Sequence, residues 1–592
     1  MSGAPPVIPS SLQIYNSYVE DPKWQRKFTI IWCSALGLAI AASLPALIRS
    51  LKNGRSLKGL FGVSEDLQRR GYMPMGNDDK LPPRQSAGVS RLWYSVVSIR
   101  QWSLPYVELN AGQIFILAAY LAILLVCIIK DAQLISNPNR AGFMALAQLP
   151  VVFLFATKNS ILSLLLGPGN GYEKLNFIHR MAGRLMFLAA CIHGSLWIRN
   201  HLEFGLPILG PQKETSGVAS FTLLCIIVLS SLPPVRRLFY EFFFVVHVLI
   251  FVAFFVTICY HTIYASPWIF PPLAFYGADM LMRMLRYRIK DATMTAEDSF
   301  MTIVRVNDCD DGWLAGQHVR LRVFFSGRVL ESHPLTILSA PPSHSCLSSP
   351  GMILGARVNG DWTRALNNYT RKEQERLQAL DKTYRGASIL THVMLDGPYG
   401  GSSVDLGQYE SALLVAGGSG ITFTLGLLDD IVGRCVKLGR RGGERTRRIE
   451  FSWCIRSFGH IQWFAPMLMD IAKTAAGTSI DLHISVYVTC LCDPEAIPPI
   501  PNCDVTITRP SVYRLLHDLT AYPSSSSLHS TDDETKTSTE QSDCIGRGGG
   551  LAVCASGPES LTTEAQNAVA RLGMMKGLEL GGVAIHVERF AL

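Results

Sequence analysis

Four histidines stand inside apolar runs, and their spacing repeats. His179 and His193 are 14 residues apart, and so are His247 and His261. Fourteen residues is close to four helical turns, so each pair lies on one helix face with about 21 Å between its members. Ionisable groups are costly within a membrane span and usually functional there. Imidazole suits zinc, but two facing histidines leave zinc short of ligands, whereas they fill both axial positions of a haem. If the two segments run parallel, His179 faces His247 and His193 faces His261, giving two stacked bis-histidine sites. The bland alternative is four structural histidines bonded to neighbouring helices, and the repeated spacing argues against it. Arg180 and Arg184 beside the first pair suit either haem propionates or anchoring of the span's end.

Three motifs in the second half could hold further redox groups. His333-Pro334-Leu335-Thr336-Ile337 follows Gly316-Gln317-His318-Val319 on a strand pattern. Gly417-Gly418-Ser419-Gly420-Ile421-Thr422 lies between a strand and a helix, where glycines let the backbone approach a pyrophosphate and helix-start amides favour an anion. Trp453-Cys454-Ile455-Arg456 ends the next strand; an arginine there suits a 2′-phosphate, hence NADPH over NADH. The last two have bland readings, an ordinary turn for the glycines and a solvated strand-end charge for Arg456.

The elements that carry the histidines are membrane spans. Over 592 residues the chain is 48% hydrophobic and only 17% charged, against a usual charged share of about 25%. That deficit excludes a wholly soluble protein, a disordered chain and a coiled-coil rod. The net charge of +8 is too mild to imply nucleic acid without a clustered basic face. Apolar runs at Phe28–Ile48, Gly112–Ile129, Ala141–Thr157, Gly217–Val235 and Phe242–Tyr264 approach the ~20 residues a helix needs to cross the hydrocarbon. Leu175–Ile198 and Ala265–Met282 are weaker candidates, the first carrying His179, Arg180, Arg184 and His193 and the second two prolines and Asp279. The expectation is about seven spans.

Basic residues set the orientation. The cluster between Arg49 and Arg100, Arg236 with Arg237, and Arg283, Arg286, Arg288 and Lys290 fall on one side only if the N-terminus is outside and the C-terminal half is cytosolic. The first 27 residues lack the pattern of a cleaved signal peptide, so the first span is expected to be an uncleaved anchor. The 14 cysteines divide between spans and the cytosolic half, where disulfides rarely persist. Cys490-Leu-Cys492 alone is no zinc site, and the sequon at Asn368 is expected to be cytosolic and unmodified.

From about Asp291 the pattern is β-rich. Phe300–Val306, His318–Phe325, Met352–Val358 and Ile389–Leu395 suggest a small barrel. After Tyr409 it becomes strand–loop–helix, with strands Ala412–Ala416, Ile449–Ile455 and Ile480–Val488 and a helix near Phe423–Leu438. Residues 522–550 are polar and low in complexity and read as a disordered insert.

With these motifs in place, residues 110–592 resemble the fungal ferric reductase family, part of the ferric reductase/NADPH oxidase superfamily. The resemblance implies a multi-domain fold: an all-α polytopic bundle, a β-barrel FAD domain and an α/β Rossmann-like NADPH domain of ferredoxin-reductase type. The implied boundaries are an extracellular segment 1–27, a first span and basic cytosolic loop 28–111, a six-helix haem domain 112–290, the FAD domain 291–408 and the NADPH domain 409–592. The family's haem-iron ligands map onto His179, His193, His247 and His261, so two haem b groups are implied. Its flavin motif maps onto His333, Pro334, Leu335 and Thr336, with Leu335 where phenylalanine is usual. Gly360, Trp362 and Thr363, and Gly397, Pro398 and Tyr399, map onto its other flavin-contacting turns, and Phe590 onto the aromatic that covers the flavin. Its NADPH residues map onto Gly417, Gly418, Ser419, Gly420, Ile421, Thr422, Arg456 and Ser556-Gly557-Pro558, with Ser556 where cysteine is usual.

The resemblance implies a transmembrane metalloreductase: NADPH, FAD and the inner then outer haem would carry electrons outward to chelated Fe(III) or Cu(II) for metal uptake. An inside-negative potential favours that direction by roughly 2.3 kcal/mol per charge per 100 mV. A superoxide-producing oxidase uses the same parts, but the equal histidine spacings favour the reductase. A transporter with a nucleotide-sensing domain is the distant alternative. The expected partners are the bilayer, the metal chelate and metal-uptake proteins, with no nucleic acid. The plasma membrane is the expected location, and the vacuolar membrane fits the same topology. His201 and Glu203 are candidates for approaching an outer substrate.

Overall fold

The structure, a computed structural model, describes residues 15–65, 91–104, 109–325, 327–380, 388–490, 498–521 and 549–590. Cys492, the basic residues Arg69, Arg70, Lys80 and Arg84, and nearly all of the polar insert lie outside the described residues. Two compact units divide the chain: Met1–Ile48 with Ile114–Met282, and Arg49–Gln113 with Arg283–Leu592.

The helices up to the first strand are, in chain order, α1 (Ser17–Lys52), α2 (Arg91–Gln101), α3 (Ala111–Ile129), α4 (Asn139–Ala147), α5 (Leu149–Leu154), α6 (Ile161–Leu165), α7 (Tyr172–Glu203), α8 (Gln212–Ser230), α9 (Pro233–Leu238), α10 (Tyr240–His261) and α11 (Ser266–Arg286). Among the described residues five helices, α1, α3, α7, α8 and α10, are long and apolar enough to cross a membrane. By length and composition, five of the expected seven spans are reached. The run Ala141–Thr157 is broken into α4 and α5 at Gln148, with Pro150 in the first turn of α5. Proline lacks the amide that would continue the earlier helix. The run Ala265–Met282 does form a helix, α11, but Pro271 and Pro272 interrupt its apolar character. Its Asp279 is buried and accepts from the backbone amide (2.8 Å) and the side chain (2.9 Å) of Asn159, the partnering a buried carboxylate needs.

The first unit packs aromatically inside and exposes large apolar side chains outside. Phe153 meets Phe251 and Phe255 at 5.3 and 5.2 Å, and Phe187 of α7 stacks on Phe221 of α8. Phe115, Leu249, Val252 and Val256 are exposed, as suits a surface bathed in lipid rather than water.

The second unit opens with six antiparallel strands: β1 (Arg288–Ala296), β2 (Met301–Val306), β3 (Gln317–Val323), β4 (His333–Thr336), β5 (Met352–Arg357) and β6 (Ile389–Gly400). Their order is β4-β3-β6-β1-β2-β5, and a bridge from Ile337 to Leu354 joins the two edges into a barrel. Strand β3 alternates buried and half-buried residues, the period-two signature of a strand with one face on a core. Helix α12 (Asp361–Leu380) follows β5, and its Trp362 and Leu366 enter the barrel core.

A parallel sheet follows, made of β7 (Ser411–Gly417), β8 (Arg448–Ile455), β9 (Asp481–Val488), β10 (Cys503–Thr506), β11 (Leu551–Gly557) and β12 (Val583–Arg589). Helices α13 (Ile421–Val436), α14 (Ala465–Ala475), α15 (Val512–Thr520) and α16 (Glu559–Lys576) cover it. The order β10-β9-β8-β7-β11-β12 reverses direction between β7 and β11. Ligands of open parallel sheets bind at such a reversal, beyond the carboxyl ends of the strands. The segment after the first span also belongs to this unit: Lys58 pairs with Asp311 at 3.0 Å, Arg286 donates to the Leu60 carbonyl, and the Ser103 amide donates to Asn567.

Candidate redox cofactor sites

The histidine spacing on α7 and α10 becomes two facing pairs. The rings of His179 and His247 lie 6.2 Å apart at 69°, and those of His193 and His261 lie 6.1 Å apart at 70°. Metal–imidazole bonds of about 2 Å on each side, with about 1 Å from each nitrogen to its ring centre, sum to roughly that gap. The space between the rings thus fits one metal ion held by two nitrogens, the axial arrangement of a bis-histidine haem.

The second nitrogen of every ring is occupied. Nδ1 of His179 bonds the Val152 carbonyl at 2.9 Å, that of His193 the Pro138 carbonyl at 3.0 Å, and that of His261 the Lys213 carbonyl at 2.8 Å. Nδ1 of His247 meets the Ser231 hydroxyl at 3.1 Å. A carbonyl only accepts, so three of these nitrogens carry the proton. Orienting bonds of this kind fix the tautomer and leave Nε2 free to bind a metal. Val152 can serve because it lies in the last turn of α5, where helix carbonyls have no intrahelical partner.

Glycines make room for the His193/His261 pair. A Cβ on Gly142 would lie 3.0 Å from the His193 ring, and one on Gly217 would lie 2.7 Å from the His261 ring. A largely apolar cavity of about 230 Å³ includes both histidines, both glycines, Trp197 and His201 in its wall. Of the two polar residues expected near an outer substrate, His201 lines this cavity with Nδ1 held by the Trp197 carbonyl. Glu203 instead is exposed and pairs with Arg199. Gly142, Gly217 and Ser231 carried no signal in the sequence, because each acts on a histidine of another helix.

In the barrel, the His333 ring stacks on Trp362 at 4.4 Å. Pro334 is exposed and Thr336 half-buried, whereas Leu335 points into the barrel core. Leucine in place of phenylalanine is therefore a packing choice at this position. Thr363 accepts from the amides of Asn359 and Gly360 and so shapes the turn that starts α12. Gly397, Pro398 and Tyr399 lie on β6 against β3; Tyr399 bonds Asp396 and packs near His318, with the Arg286 guanidinium 5.7 Å over its ring. Among the described residues the buried Nε1 of Trp362 and Nε of Arg322 have no protein acceptor. Donors so placed fit a ligand rich in acceptor oxygens, as FAD is.

The switch point of the parallel sheet gathers the expected nucleotide residues. Gly417 and Gly420 press against the Ser556-Gly557-Pro558 turn: a Cβ on Gly420 would overlap the Ser556 carbonyl, and one on Gly417 would lie 2.8 Å from Pro558. Ser419 and Thr422 close the turn into α13 through a hydroxyl-to-carbonyl bond, and Ile421 is buried. The Phe590 amide bonds the Gly557 carbonyl, which brings the C-terminal aromatic to the same place. The Ser556 hydroxyl is buried without a protein partner among the described residues, available to a ligand amide. Arg456 is exposed at the end of β8.

One residue here escaped the sequence reading. Arg357 ends β5 of the barrel, yet its Nη1 lies 3.1 Å from where a Gly418 Cβ would stand. Burial, and then the charge of Arg456, hold its guanidinium below its ordinary pKa. Burial and Arg357 likewise lower His460. Like charges gathered beside a glycine loop seek an anion, and a nucleotide phosphate supplies one.

Comparison with known proteins agrees with this layout. Residues 141–258 match the family described as ferric reductase like transmembrane component, residues 284–403 an FAD-binding domain, and residues 409–544 the ferric reductase NAD binding domain. Ferric reductase transmembrane component 3 of Saccharomyces cerevisiae is 25% identical over 382 residues, covering 62% of this chain and 48% of that protein. Ferric reductase transmembrane component 1 of Schizosaccharomyces pombe is 27% identical over 384 residues, covering 59% and 64%. Ferric/cupric reductase transmembrane component 2 of S. cerevisiae is 25% identical over 365 residues, covering 58% and 46%. The chain spans about half the length of the curated relatives it matches. With a segment similar to a ferric reductase transmembrane component, followed by segments similar to an FAD-binding domain and a ferric reductase NAD binding domain, the chain is an integral membrane protein that resembles the ferric reductases in all three parts.

Proposed function

We propose that this protein is a transmembrane metalloreductase that oxidises cytosolic NADPH and delivers single electrons to chelated Fe(III), or Cu(II), on the far side of the membrane. The observation that carries this reading is the pair of facing histidine couples whose Nδ1 atoms are all engaged, leaving Nε2 for iron. His179 with His247 would hold the inner haem, and His193 with His261 the outer. When bound, NADPH supplies hydride, FAD converts a two-electron donor into one-electron steps, and haem b conducts single electrons.

The chain's own residues do the positioning. Gly417 to Thr422 and the Ser556-Gly557-Pro558 turn cradle the dinucleotide, and Arg456 with Arg357 neutralises its phosphates. His333 and Trp362 form a stacked wall beside the flavin motif. The glycines beside His193 and His261 keep that site open for a planar group. The N-terminus is read as extracytosolic, the reductase unit as cytosolic and the plasma membrane as the location.

The experiment is Fe(III)-chelate reduction by right-side-out vesicles carrying NADPH inside, with O₂ consumption recorded in parallel. Outward ferric reduction together with b-type bands in a dithionite-reduced minus oxidised spectrum is expected. Superoxide formation without metal reduction would make the protein an oxidase, and a spectrum without b-type bands would sink the reading. His193→Leu should abolish outward reduction while sparing flavin reduction by NADPH.

A further inference from the structure

Helix α1 lies outside the segment matched by the transmembrane family, yet it carries a fully buried ion pair. Arg140 Nε donates to Asp21 Oδ1 at 2.6 Å, and the two side chains are 1% and 0% exposed. Three more of the guanidinium's five donors are used: Nη2 on the Tyr15 hydroxyl at 2.7 Å, and Nη1 on the carbonyls of Cys127 and Lys130 at 3.1 and 3.2 Å. The Tyr15 hydroxyl in turn donates to Asp21. The Trp24 ring covers the guanidinium at 4.9 Å. Charges in a membrane protein's interior are costly and are kept where they do something specific.

Arg140 occupies a particular stretch of backbone. Two residues before it, the Pro138 carbonyl orients His193 at 3.0 Å. Two residues after it, Gly142 packs against the same imidazole. Helix α1 grips this stretch at two further points, through Asn139 Nδ2 to the Ser17 hydroxyl at 3.0 Å and Gln25 Nε2 to the Phe143 carbonyl at 2.6 Å. Asn139 also accepts from Trp197 of α7, one turn beyond His193, at 3.3 Å. Three contacts from α1 thus hold the start of α4, and the start of α4 touches His193 twice. The stretch begins just outside a helix, where backbone has no ladder of its own to hold it in place.

We infer that α1 is a brace for the outer haem site, in which Asp21 and Arg140 are positioning residues that hold the Pro138 carbonyl on His193 Nδ1. The brace acts on one site of two: the Val152 carbonyl that orients His179 lies on α5 and has no ionic tie to α1 among the described residues. This inference rests on the haem reading proposed above.

The test uses the full-length protein purified in detergent. Low-spin ferric haem EPR signals and a potentiometric titration resolve the two haems, and His193→Leu assigns the outer one. Asp21→Ala should shift the potential and EPR signal of the outer haem and raise its loss to apomyoglobin ~10–100-fold, the usual consequence of removing an orienting partner. The inner haem should be unmoved. The exchange variant Asp21→Arg with Arg140→Asp should recover part of the wild-type signal. Should Asp21→Ala not fold, Ser17→Ala with Gln25→Ala loosens the same grip without stranding a charge and is expected to shift the same signal. Wild-type potentials and spectra for both haems in whichever of these folds would overturn the brace. Absence of b-type bands in the wild type would instead overturn the haem reading itself.

Discussion

Ser231 gives its own hydroxyl proton to the Ile227 carbonyl at 2.6 Å and stands 3.1 Å from Nδ1 of His247. With that proton committed, the serine oxygen can only accept, so the imidazole must donate Nδ1–H and keep Nε2 bare. The other three histidines are fixed by backbone carbonyls, which no substitution removes. Ser231 is therefore the one orienting group among the four that mutation can delete directly.

Ser231→Ala should weaken retention of the haem proposed between His179 and His247 ~10–100-fold and shift its potential. Ser231→Thr keeps the acceptor and should behave as wild type. Haem content per protein and a redox titration check both, and unchanged values in the alanine variant would refute the orienting role.

Arg357 and Arg456 converge on the glycine loop from different domains. Removing either should raise KM for NADPH ~10–100-fold with little change in kcat, the loss of one charge-assisted hydrogen bond. Arg456→Ala should also narrow the preference for NADPH over NADH. Steady-state flavin reduction with each nucleotide measures this, and equal losses with both would remove the 2′-phosphate role.

Gly420 leaves no room for a side chain beside the Ser556 carbonyl. Gly420→Ala must push apart the two loops at the switch point. Flavin reduction by NADPH should fall while flavin content and reduction by dithionite stay normal, as stopped-flow absorbance would record.

A buried charge network should make the reductase unit acid-sensitive. Arg434 bonds Asp405, Asp430 and Glu444, and Arg55 lies 3.6 Å from Asp430. Burial raises the pKa of Asp405, but Arg55 and Arg434 outweigh it and hold the carboxyl at about 2. Asp430 is likewise held below its usual range, chiefly by Arg434 against its burial. A depressed carboxylate stabilises above its ordinary value and stops doing so as pH falls through the folded one. Thermal midpoints followed by flavin fluorescence should thus drop steeply as pH falls from about 4 toward 2. Asp430→Asn should cost about 1–3 kcal/mol at neutral pH, because Arg434 keeps Asp405 and Glu444 but loses one of its three buried carboxylate partners.

His483 should give the opposite slope. Burial lowers its pKa, but hydrogen bonds to Asp504 and Glu450 and their charges raise it on balance. A raised histidine stabilises below its ordinary value of 6.5 and loses that contribution as pH climbs through the folded value. His483→Gln should flatten the thermal midpoint between about pH 6 and 8 while leaving the acid limb untouched.

Much of this layout was legible because it rests on local periodicity. The 14-residue intervals on α7 and α10 survive as facing pairs because a helix keeps its phase over four turns. The glycine loop between β7 and α13 was readable because the turn must follow its strand directly. Other elements escaped for physical reasons. Strand β1 (RIKDATMTA) and helix α12 (with RKEQERLQ) are too polar to announce themselves, since each hides only one narrow face. Hydropathy alone could not see the break at Gln148, which Pro150 makes by offering no amide to continue the helix.

By itself, then, the sequence determined the order of the three parts, the four histidines and the glycine and strand-end motifs, all set by residues close in the chain. Only tertiary structure decided which histidine meets which, that Ser231 and the Pro138, Val152 and Lys213 carbonyls orient them, and that Arg357 reaches the nucleotide loop. It also decided that α1 reaches the His193 site through Arg140. These relations join residues up to a hundred or more positions apart. No local pattern encodes them, because they arise only when packed helices and strands bring separate backbones within hydrogen-bonding distance.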